Sequence, residues 1–123
     1  MDLHPVTGQL WANGNGHDRE GQAIPPEWIN IITENSFHGW PLAYGWQKWV
    51  DFSISQYRKE IFPLTADDST NVASMRRPVA LVPAHLAPMG LHFYTHNQFP
   101  ATYKNAAFVA FRAGVLGNDV GYK

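Results

Sequence analysis

His85, Arg112 and the loop Asn13–Gly21 (NGNGHDREG) are the positions whose residue types and spacing could do chemistry. The loop carries Gly14, Gly16 and Gly21, so its carbonyls and amides are free to turn towards a ligand. A plain hairpin loop would read the same way. Its Asp18-x-Glu20 pattern is too short for an EF-hand, which spaces its acids over about 12 residues. His85 lies in a Pro-x-His-x-x-Pro turn that presents it at a strand end, and Arg112 follows directly on an apolar strand. A hydrogen-bonded structural histidine and a surface arginine are the competing readings. His92 and His96, four apart, share a face only on a helix, whereas LHFYTHNQFP reads as strand and turn, so they make no standard zinc site. The chain has no cysteine, which removes disulfides and thiolate metal sites. It has no G-x-S-x-G, H-E-x-x-H or Walker loop. A net charge of −1 leaves no basic field for nucleic acid.

The elements that must position these residues read as short strands. Apolar or β-branched runs place strands at Gln9–Asn13, Trp28–Thr33, Val79–Val82, Leu91–Tyr94 and Phe108–Phe111. The last, FVAF, is apolar throughout and reads as buried on both faces. Asp2–Gly8 is expected to be a turn. Trp40 of Phe37–Pro41 (FHGWP) is expected to fill the space between sheets, with His38 a partly exposed polar residue. The spacing of Trp46, Trp49, Val50 and Ser53 suggests one short helix over Trp49–Lys59. Asp67–Asn71 reads as a polar loop, and Arg76 and Arg77 as solvated. No apolar run approaches the 18 or so residues of a membrane span, and MDLHPVTGQL is not a signal peptide.

Two runs together resemble a known family. AHLAPMGLHFYTHNQFPATYKNAAFVAF is similar to the C-terminal part of the sorbosone/glucose dehydrogenases. LWANGNGHD, followed by PPEWINII and FHGWP, is similar to an earlier part of the same family, in the same order. The resemblance implies an all-β chain, part of a six-bladed β-propeller whose members use pyrroloquinoline quinone (PQQ) and calcium. A blade takes roughly 40–50 residues. Residues 1–123 would therefore form a single segment of about two blades, an incomplete propeller.

By the same resemblance, the backbone oxygens of Gly16 and His17 bind calcium, and Asn15, His85 and Arg112 contact the cofactor. The partners implied are a sugar substrate and an external electron acceptor, and the location is periplasmic or secreted. The family's catalytic base and an Arg-Asn cofactor pair belong to earlier blades. The chain also departs from many relatives after the FVAF strand, where Arg112–Asn118 (RAGVLGN) replaces a His-Gly-Ser-Trp-Asn-Arg run. Two functions follow: a cofactor-facing segment of a sugar dehydrogenase, or a propeller module for binding that has lost the quinone. Open propeller edges would favour self-association.

Overall fold

The computed structural model describes residues 1–18, 20–53 and 63–112. The chain is built of antiparallel sheets with little helix. Strand β1 (Asp2–Leu3) pairs with β2 (Leu10–Gly14), β2 with β3 (Glu27–Ile32), and β3 with β6 (Ala80–Val82), giving one four-stranded sheet. A two-stranded ribbon joins β4 (Ala43–Tyr44) to β5 (Lys48–Trp49). A second ribbon joins β7 (Pro88–Phe93) to β8 (Ala107–Phe111) across a loop with a 3₁₀ turn at Ala101–Tyr103. This is the all-β, open architecture of a partial propeller, and each expected strand is present to within three residues at either end.

The β2–β3 register sets the geometry of everything else. Gly14 stands opposite Trp28, Asn13 opposite Ile29 and Leu10 opposite Ile32. The ribbon β7–β8 packs beside β1 and β2. Asn13 Nδ2 donates to the Pro88 carbonyl at 2.6 Å, and the Phe93 N–H donates to Asp2 Oδ2 at 3.0 Å. Trp11 meets Phe93 edge-on, ring centres 5.5 Å apart. The main apolar cluster is Leu42, Ala43, Val72 and Met75, with Phe37 and Phe52 against it.

Four expectations are corrected. Residues 67–71 are not a loop but the middle of helix α1 (Ala66–Ala73). Thr65 caps it: its hydroxyl accepts the Asp68 N–H and its own N–H donates to Asp68 Oδ2, a reciprocal box that nucleates the first turn. Asp2–Leu3 is a strand rather than part of a turn, because Asp2 pairs across to Trp11. Trp40 is 61 % exposed and does not lie between sheets. Strand β8 is not buried on both faces: Phe108 is 42 % exposed, since β8 pairs only with β7 and no described element covers its outer face. The helix expected over Trp49–Lys59 begins instead as strand and turn at Lys48–Ser53, and its remainder lies outside the described residues. His38 is half-buried, and Arg76 and Arg77 are exposed, as expected.

Candidate functional site

The site is assembled around a carboxylate. Glu27 opens β3 and is 3 % exposed. Its Oε2 accepts the Gly16 N–H at 2.6 Å and its Oε1 accepts the His85 N–H at 2.9 Å. The Ala87 N–H is a further donor to the same carboxylate. Ala87 in turn accepts the Arg112 N–H on its carbonyl at 3.1 Å. One chain of hydrogen bonds therefore ties the loop after β2, the turn before β7 and the end of β8 to a single point. Burial pushes the Glu27 carboxyl up from its ordinary value, opposed by the N–H donors of Gly16, His85 and Ala87.

The loop has its own internal ties. The His17 ring meets Glu20 Oε1 at 2.8 Å with both side chains buried, and Glu20 Oε1 also accepts the Asp51 N–H at 2.9 Å. The His17 ring lies 5.8 Å from that of Trp40 and 5.9 Å from that of Tyr44. Burial, with the negative charges of Glu20 and Asp51, pushes the Tyr44 phenol up. A small cavity of about 30 Å³ is bounded by Asn15, Gly16, His17, Trp28, Trp40 and Tyr44, among others. His38 hydrogen-bonds Asn30 at 2.9 Å and Ser36 at 2.7 Å and stacks on Trp28; burial and the Arg76 charge push its pKa down.

The five residues singled out from sequence fall in this region, with different surroundings. Asn15 is exposed, and Gly16 is held by Glu27. His17 is packed among Glu20, Trp40 and Tyr44. His85 is 6 % exposed; its Nε2 lies 2.8 Å from the Gly21 carbonyl and its Nδ1 3.5 Å from Asp18 Oδ1. Its ring thus grips the far end of the same loop that Glu27 grips at the near end. Arg112 is exposed and tied to Ala87 through its backbone.

The donor set is suited to a share of a hard cation's shell. Glu27 is filled by backbone N–H groups and Glu20 by His17 and Asp51, so neither carboxylate faces outward. The oxygen donors left in the loop are its neutral backbone oxygens, the exposed Asn15 side chain and the Asp18 carboxylate, which is 72 % exposed and 3.5 Å from the His85 ring. Calcium accepts carbonyl oxygens and takes roughly six to eight of them. The loop's oxygens would supply only a minority of such a shell. Among the described residues no cluster of three acidic or histidine side chains could hold a metal by itself.

The family model for glucose/sorbosone dehydrogenase matches residues 1–116. The chain belongs to the glucose/sorbosone dehydrogenase family. An uncharacterized protein of Borreliella burgdorferi is 33 % identical over 125 aligned positions, which cover all of this chain and 30 % of that protein. The chain thus spans less than a third of the curated relative it matches. No solved structure matches.

In this member of the glucose/sorbosone dehydrogenase family, sequence reasoning missed Glu27 and Asn30, two of the most deeply placed polar residues among those described. Glu27 stands just ahead of the expected strand Trp28–Thr33. Asn30, 1 % exposed, holds His38 and caps its own neighbour's amide through the Ile31 N–H. The available signal was a pair of polar residues inside the otherwise apolar run Glu27–Ile32, where an unpartnered polar group would be costly.

Proposed function

We propose that this chain is a cofactor-facing segment of a PQQ- and calcium-dependent sugar dehydrogenase, acting on an aldose or sorbosone and passing electrons to an external acceptor. The observation that supports this most is the Glu27 hub, which gathers the Asn15–His17 loop, the His85 turn and the Arg112 strand end at one place. In this reading Gly16 and His17 offer backbone oxygens to calcium, and Asn15 hydrogen-bonds the cofactor beside them. Arg112, exposed at the strand end, pairs with a cofactor carboxylate. His85 serves the site through the loop it grips at Gly21. Calcium, when bound, supplies Lewis-acid polarisation of the quinone carbonyl that accepts hydride. The base that takes the sugar's proton comes from outside residues 1–123.

The test is a dye-linked assay of the intact protein that carries this segment, with aldoses and sorbosone, with and without PQQ and calcium. Turnover that needs both is expected, and R112A is expected to weaken PQQ binding about tenfold, the worth of one charge-assisted bond. A second reading, a binding module of propeller fold without the quinone, is favoured by the small cavity of about 30 Å³ and by the engaged His85 ring. Failure of the intact protein to bind PQQ in the presence of calcium would select it.

A further inference from the structure

We propose that Glu27 is the positioning residue of the loop Asn15–His17, fixing the Asn15–Gly16 peptide by clamping it to the turn that holds His85 and Ala87. That such a loop serves a cation and cofactor rests on the functional reading above; the clamp itself rests on geometry.

Three features carry it. First, the carboxylate uses both oxygens on backbone N–H groups from two separate loops, 2.6 Å to Gly16 and 2.9 Å to His85. At 3 % exposure no water competes freely for those oxygens, so loss of one arm leaves a buried donor without a partner. Second, His85 and Ala87 hold φ of 64° and 49°, the left-handed region that disfavours side chains bearing Cβ. The bonds to Glu27 offset that strain and keep the turn in place. Third, the Asn15–Gly16 peptide is trans and planar, so its C=O runs opposite to its N–H. With the N–H aimed at Glu27, the Asn15 carbonyl oxygen is turned away from it. The clamp therefore sets which way the Asn15 carbonyl faces and anchors the backbone from which the Gly16 and His17 carbonyls follow. Pro25 packs closely against the same point, so that position 16 must be glycine: a Cβ there would come within 2.9 Å of the Pro25 Cγ.

The chemistry also says why glutamate is needed. Glutamine keeps the size but replaces one acceptor oxygen with an NH₂ group, which cannot accept from Gly16 or His85. Aspartate keeps the charge but is one methylene too short to reach both loops.

The experiment is hydrogen exchange on the intact protein, comparing wild type with E27Q, E27D and E34Q. Glu34 is an exposed carboxylate just beyond β3 and controls for loss of charge. E27Q is expected to speed exchange about tenfold or more in 13–21 and 83–88. The β7–β8 pairing should stay protected and E34Q should match wild type. E27D is expected to release one of the two loops, which keeps the idea testable if E27Q does not fold. Exchange that rises evenly across all sheets, or that leaves both loops unchanged, would overturn the clamp. A parallel calcium titration by tryptophan fluorescence separates the two claims. A wild-type protein with no calcium response sinks the cofactor reading, while exchange still decides the clamp. If calcium binds, its midpoint is expected to weaken about tenfold in E27Q; an unchanged midpoint would overturn the positioning role.

Discussion

Gly14 shows how a residue can be noticed for one reason and required for another. The glycines of Asn13–Gly21 stand out in the sequence as backbone freedom for a ligand. In the structure neither Gly14 nor Gly16 has a positive φ. A Cβ on Gly14 would instead fall 2.1 Å from Trp28 Cζ2, because the two residues face each other in the β2–β3 register. G14A is therefore expected to destabilise the fold by about 1–3 kcal/mol through overpacking. G90A, where nothing lies within 4 Å of the added methyl, is expected to be near neutral. Chemical denaturation of the two variants checks the contrast, and equal effects would refute the packing explanation. The partners of Glu27, unlike its polar place in an apolar strand, were illegible for a related reason. Its role depends on Gly16, His85 and Ala87, which are brought to it only by folding, and no local pattern encodes that meeting.

At the scale of elements, strands were legible and helix α1 was not. The run Trp28–Thr33 is β-branched and apolar, so sequence placed β3 within one residue of Glu27–Ile32. Helix α1 is polar along most of its length and buries only Val72, so its apolar periodicity is faint. Its start signal was present in Thr65-x-x-Asp68, which reads as a capping box only if the acid is weighed as a partner. T65A is expected to cost about 0.5–2 kcal/mol of stability, seen as a lower midpoint in urea; an unchanged midpoint would mean the helix is held by Val72 and Met75 alone. A second element-level contact makes a pH prediction. Asp2 joins β1 to β7 by accepting from the Phe93 and Leu3 N–H groups and facing His92 Nδ1 at 2.8 Å. Those backbone donors, chiefly Phe93, hold its carboxyl below its ordinary value of 3.8. A depressed carboxyl contributes stability that is present above its unfolded pKa and is lost as pH falls through the folded one. D2N is thus expected to melt earlier than wild type at neutral pH and to show a shallower loss of stability below about pH 4. Parallel melting curves for the two proteins across that acid range would refute the contribution.

At the scale of the molecule, apolarity in the sequence reports what a surface is built to meet, and the described residues do not supply every partner. Phe108 was expected to be covered on both faces and Trp40 to lie between sheets, yet both are open. Near the tip of the β7–β8 ribbon, Tyr94, Phe99, Tyr103 and Phe108 form a cluster with neighbouring ring centres 4.9–6.2 Å apart; three of them are more than 40 % exposed. Val79 and Leu81, around strand β6 at the edge of the four-stranded sheet, are about half exposed. Open edges pair with other strands, and contiguous apolar surface seeks cover. The chain spans only 30 % of the Borreliella burgdorferi relative. Expressed alone, residues 1–123 are therefore expected to self-associate, and to show no PQQ-dependent glucose oxidation with calcium added, since the base lies elsewhere in the family reading. Light scattering and the dye-linked assay read the two parts separately. A charge placed in the exposed cluster, F108E, is expected to shift the scattering towards smaller species while leaving β7–β8 paired. A monodisperse monomer of the wild-type segment would show that these faces need no cover, and sugar turnover by it would place the base within these residues.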